Sequence, residues 1–212
     1  MVEYIELKEL EKRAYKTTFQ DGLWDIYIGL LVLGWNISSF GTFLETLYVM
    51  IIVIIWYSIT FLIFYFGKKY ITVPRMGLVK FGPKRKADKK KLMIFTSINT
   101  IILMIIFLLR FTGIFQYFQL DIYVFYFIII VCFVWFPFSM VAYFLKFYRL
   151  FLYAIMGGSS FIISELIYPL IGSPLNNLIP FSISGVIIII IGIIYFILFL
   201  KKYPLSKREE IN

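Results

Sequence analysis

Histidine is absent from this chain and cysteine occurs once. The first absence removes the commonest metal ligand and the commonest general base at neutral pH. The second leaves Cys132 alone in an apolar run, which allows neither a disulfide framework nor a cysteine metal site. Charge is scarce too: 16% of the 212 residues are charged, against 61% hydrophobic and 21% aromatic. A soluble domain of that composition would expose most of its apolar surface and aggregate, whereas a bilayer solvates such a surface. Enzyme signatures are also missing. The chain has no HExxH helix, no paired-aspartate motif and no serine nucleophile with a histidine partner. The expectation is a chain that is not an enzyme, with no catalytic residue, metal or cofactor.

What is present is a succession of apolar segments, at about 22–40, 46–66, 92–109, 122–145, 151–171 and 180–200. Each is near the ~20 residues that cross a bilayer as a helix. The fold class expected is all-α, a polytopic membrane bundle of six transmembrane helices occupying residues 22–200. One long polar insertion interrupts them, residues 67–91, with ten basic residues and the single acid Asp88. A block of like charge that dense stays on the cytoplasmic side. Six spans then place twenty of the twenty-one Lys and Arg residues inside, with both termini cytoplasmic, and leave only Arg110 outside. The expected location is therefore a multi-pass protein of the cell membrane. The net charge of +9 is mainly this topological signal, so nucleic acid is not the expected partner.

The flanks and the loop have patterns of their own. Residues 1–21 are too polar for a signal peptide and read as an amphipathic helix lying on the inner membrane surface. Residues 201–212 form a basic cytoplasmic tail. Within the loop, the runs Ile71–Arg75 and Leu78–Phe81 are β-prone and flank Met76-Gly77, which reads as a small β-hairpin followed by a disordered lysine tail. Arg75, Lys80, Lys84, Arg85 and Lys86 are the candidate contacts to anionic headgroups or other phosphates.

Ionisable and amide side chains inside apolar spans are candidates for function. Glu165, in the fifth span, shares a helical stripe with Ala154, Gly158 and Pro169. Asp25 shares one with Gly22, Gly29 and Asn36, the expected inward face of the first span, with Asp21 as its N-cap. Asn99, with Thr96 and Thr100, puts a polar patch in the third span. Glu165, Asn99, Asp25 and Asn36 together make the candidate intramembrane polar site. Interhelical packing and a salt bridge from Asp25 to Arg75 or Lys80 explain part of the same pattern. Asp25-Ile-Tyr-Ile and Asp121-Ile-Tyr-Val open the first and fourth spans, a faint echo of an inverted repeat.

The segments TTFQDGLWDIYIGLLVLG and ITVPRMGLVKFGPKRK, covering roughly the first ninety residues, resemble a family of uncharacterised multi-pass membrane proteins of archaea and bacteria. The residues that carry the resemblance are Asp21, Gly22, Trp24, Asp25, Pro74, Arg75, Gly77, Val79, Lys80 and Phe81. No activity comes with that family. The resemblance implies that the loop and the start of the first span form a unit, with Asp21 or Asp25 facing Arg75.

Two functional classes follow. The first is a small permease or channel for an ion or small solute, using the polar stripes. The alternative is a non-catalytic scaffold or complex subunit that binds a protein partner or anionic lipid through the basic loop.

Overall fold

The computed structural model describes residues 19–42, 46–76, 83–111, 127 and 130–204, and every element among them is helical. The main helices are α1 (Leu23–Ser38), α2 (Thr46–Gly67), α3 (Pro83–Phe111), α4 (Phe136–Leu145), α5 (Arg149–Ile171) and α6 (Leu175–Lys202). Among the described residues three helices are long and apolar enough to cross a membrane: Leu47–Arg75 with 29 residues, Arg149–Ile171 with 23 and Leu175–Lys202 with 28. Even 23 residues at ~1.5 Å each exceed ~30 Å of hydrocarbon. The expected N-terminal helix, the second hairpin arm with Lys80, the stretch around Asp121 and the basic tail beyond Pro204 lie outside the described residues.

Two prolines are accommodated by the same device. After α2 the chain continues through a π-turn, Lys68–Thr72, into a last helical turn, Val73–Met76. Before α4 lies a second π-turn, Val131–Trp135. In each, the N–H that closes the turn reaches back five residues, from Val73 to the Lys68 carbonyl and from Phe136 to the Val131 carbonyl. Pro74 and Pro137 each follow two residues after the π-turn ends. A proline ring presses on the carbonyl four residues earlier, and the wider turn gives that carbonyl room.

Ile71–Arg75, expected as a strand of a hairpin, is helical because it continues α2 and completes its backbone hydrogen bonds within that helix. The lysine-rich stretch expected to be disordered opens α3 instead. Pro83 takes the first helical position, where its missing N–H leaves no bond unmade, and Lys, Arg and Ala are good helix formers.

Contacts divide the chain into two units. In the first, α1 lies against both α2 and α6. Its contact with α6 is antiparallel and built on glycines seven residues apart on each helix: Gly22 and Gly29 against Gly192 and Gly185. A Cβ on Gly29 would sit 2.5 Å from Ile189 Cγ1 and 2.9 Å from the Gly185 carbonyl oxygen. Where lipid tails are as apolar as leucine, such close backbone approach is what favours helix association. On the α2 side, Trp56 Nε1 donates to the Leu30 carbonyl at 3.0 Å, over Gly34, where an added Cβ would meet the indole at 2.7 Å. Most of the remaining circumference of α2, from Leu47 through Ile63 to Tyr70, is exposed apolar surface.

The second unit holds α3, α4 and α5 as far as Ile163. Phe95 of α3 meets Phe136 of α4 edge to face at 5.6 Å between centroids. Trp135, from the π-turn, covers Gly158 of α5 so closely that a Cβ there would lie 1.9 Å from Nε1. Lys146 ends α4 in the left-handed conformation (φ 54°), and the N–H groups of Lys146 and Phe147 cap the carbonyls of Tyr143 and Ala142.

Candidate functional site

Three groups of polar side chains lie along the apolar helices of the first unit. At the start of α1, Asp21 is fully buried. Its Oδ2 accepts from Lys68 Nζ at 2.6 Å and from Thr72 Oγ1 at 2.7 Å, and its Oδ1 accepts from the Leu23 N–H at 3.3 Å. Asp21 therefore stands one residue before the N-cap, which is Gly22 (φ 75°), and still serves the first exposed N–H of the helix. The Lys68 ammonium also sits over the rings of Trp24 (5.9 Å) and Phe64 (5.7 Å), which pack on each other at 4.6 Å. Asp25, one turn further and also fully buried, acts electrostatically on the same ammonium. The expected pairing is corrected: the cation facing Asp21 is Lys68, not Arg75. The physical reason is continuity of α2, which brings Lys68 and Thr72, four residues apart, onto one face beside Asp21. Arg75, half-buried one turn beyond Thr72, donates instead to the Ile71 carbonyl of its own helix at 3.0 Å.

The second place is the seam between α1 and α6. Asn36 Nδ2 donates to Ser182 Oγ at 2.9 Å. Asn36 Oδ1 and, one turn on, Ser39 Oγ are both buried and have no hydrogen-bond partner among the described residues. The third place is the hairpin from α5 to α6. Ser164 Oγ donates to Asn177 Oδ1 and accepts from Asn176 Nδ2 at 3.1 Å. Asn176 is 5% exposed, and its Oδ1 has no hydrogen-bond partner among the described residues. Gly172 (φ 66°) makes the reversal, its N–H closing on the Tyr168 carbonyl and its carbonyl accepting from Asn176.

Of the candidate intramembrane residues, Asp25 and Asn36 lie buried on α1, towards α6. Glu165 is exposed on α5, next to the buried Ser164. Its stripe divides, since Ala154 and Gly158 are buried while Glu165 and Pro169 are exposed. Asn99 is half-buried on α3, and the hydroxyls of Thr96 and Thr100 return to carbonyls of their own helix. No described contact joins these four residues into one site. Lys84, Arg85 and Lys86 fall in the opening turn of α3.

Sequence reading missed Lys68, Thr72, Ser164, Asn176 and Asn177. Lys68 was one of ten basic loop residues, with nothing to single it out. Asn176 and Asn177 fall between the expected fifth and sixth spans, although Asn176 precedes Pro180 by one helical turn just as Glu165 precedes Pro169. Among the described residues no group of three or more His, Cys, Asp or Glu side chains is placed to hold a metal ion.

The described elements define a class: every one is helical, and three are long and apolar enough to cross a membrane. No protein-family model, curated protein or solved structure matches the chain.

Proposed function

We propose that the chain is a multi-pass protein of the cell membrane, with six spans and both termini cytoplasmic, that passes an ion or small solute. The observation that carries this reading is the set of buried oxygens with no hydrogen-bond partner among the described residues, on or next to apolar helices: Asn36 Oδ1, Ser39 Oγ and Asn176 Oδ1. A buried polar atom left unpaired costs about 1–3 kcal/mol. Water or a polar solute relieves that cost, and a string of such atoms is what a wet path through apolar helices requires. Glu165 is assigned to the mouth of that path on the hairpin side. The lysine-rich start of α3 and Arg75 rest on anionic headgroups.

Stopped-flow light scattering tests the reading. Proteoliposomes of phosphatidylethanolamine and phosphatidylglycerol are challenged with NaCl, KCl, glycerol and urea. A protein-dependent relaxation with any one of them is expected. Rates equal to those of empty vesicles with all four would contradict it.

The alternative, a complex subunit or scaffold, is favoured by the exposure of α2. Along α2 and the π-turn after it, the exposed rings of Phe61 and Tyr65 stack, Tyr65 meets Phe66 edge to face, and Phe66 stacks on Tyr70. That reading predicts a protein partner that is released when Lys84, Arg85 and Lys86 are neutralised.

A further inference from the structure

We propose that the α5–α6 hairpin holds a binding site for a monovalent alkali cation, built from the side-chain oxygens of Ser164, Asn176 and Asn177. The inference deepens the transport reading and rests on it for its role, though not for its existence. It follows from counting lone pairs. Ser164 Oγ spends its proton on Asn177 Oδ1 and one lone pair on Asn176 Nδ2, which leaves one lone pair. Asn177 Oδ1 accepts that proton and keeps one. Asn176 Oδ1, buried, has no hydrogen-bond partner among the described residues.

Two carbonyls of the hairpin helices also lose their backbone donors. Pro180 lacks the N–H that α6 would direct at the Asn176 carbonyl, and Pro169 lacks the one that α5 would direct at the Glu165 carbonyl. Both prolines lie inside their helices, four residues after the carbonyl each deprives. Oxygen acceptors gathered where helices are interrupted are the donor set of alkali-cation sites in transporters.

The charge argues for a monovalent ion. The ligand oxygens are all neutral, and a divalent ion would not recover its hydration from them. The C-terminal end of α5 favours a cation while the first turn of α6 opposes it, so the helix dipoles largely cancel. A weak site follows, half-saturated on the order of millimolar. Glu165, exposed beside Ser164, is not a ligand.

The test is thermal unfolding of the full chain in lipid nanodiscs, titrated with NaCl, KCl or choline chloride at constant ionic strength. A saturable rise of the midpoint with Na+ or K+, absent with choline, is expected. Asn176→Asp should lower the half-saturating concentration about tenfold or more, because it places a charge on a ligand atom. That tightening cannot arise from damage to the fold. Asn176→Leu should abolish the dependence. Identical curves for all three salts, as a bridging water would give, would overturn the site, and so would an unchanged half-saturation in Asn176→Asp. Solute flux without cation-specific stabilisation defeats this site and spares the transport reading. Cation-specific stabilisation in a protein that passes no solute does the reverse.

Discussion

Replacing Lys68 by methionine strands the Asp21 carboxylate in a place where it has no exposure to solvent. At 2.6 Å, with an effective dielectric constant of about 20, the attraction within the pair is ~6 kcal/mol. Burying both ions takes back several kcal/mol for each, so the intact pair contributes little net stability. The single substitution is different. It removes the attraction and leaves the desolvated carboxylate with only Thr72 Oγ1 and the Leu23 N–H, a loss of about 3–5 kcal/mol. Asp21→Asn added to Lys68→Met should restore most of it. Asparagine keeps one oxygen for the Leu23 N–H and donates from Nδ2 to the Thr72 hydroxyl, which can accept, and methionine keeps the contact with the Trp24 and Phe64 rings. The double variant should therefore unfold within ~1 kcal/mol of wild type, with a coupling energy of about 2–4 kcal/mol. Equilibrium unfolding in mixed micelles of all four proteins gives the cycle. A double variant no more stable than Lys68→Met would refute the argument, because it would show that the lost stability does not come from the stranded charge.

Three further outcomes follow from single contacts. Gly158→Ala should destabilise by more than 1 kcal/mol, because its Cβ would collide with Trp135, whereas Gly157→Ala, with nothing within 4 Å, should be neutral or gain up to ~1 kcal/mol of helix propensity. Equal unfolding midpoints for the two would count against the packing described. Gly29→Val should disrupt the α1–α6 seam, since even a Cβ falls 2.5 Å from Ile189, and a disulfide placed across that seam in the wild type should fail to form efficiently in the variant. Trp56→Phe removes the hydrogen bond to the Leu30 carbonyl and should cost about 0.5–1.5 kcal/mol in the same micelle titration; no loss would show that bond to be unimportant.

Much of the helical layout was legible because it rests on runs of apolar residues. The described parts of the expected spans are helical, but the helix of the second continues ten residues further, to Met76, α3 begins nine residues early, at Pro83, and α6 five early, at Leu175. The packed face of α1 could also be read, since Gly22, Asp25, Gly29 and Asn36 recur at helical spacing and such small or polar residues have no use on a lipid face. What failed was local propensity judged without its neighbours. Ile71–Arg75 is β-prone in isolation, yet α2 runs into it and a π-turn accommodates Pro74. The lysine run resembled a disordered tail, yet its residue types form helices well and the apolar part of α3 continues them. The pairing of Asp21 was hidden for another reason. Ten basic residues in one loop offer no signal for which of them lies one helical turn before Thr72 on the face beside Asp21. The hairpin oxygens were hidden because Asn176 and Asn177 fall between the apolar segments 151–171 and 180–200, outside both expected spans.

Flux through proteoliposomes tests the central claim most directly, with wild type and Asn176→Leu compared at equal amounts of folded protein. The account predicts a wild-type rate above that of empty vesicles for at least one solute, and its loss in Asn176→Leu. A wild-type rate equal to that of empty vesicles for every solute, or a variant as fast as wild type, would contradict it.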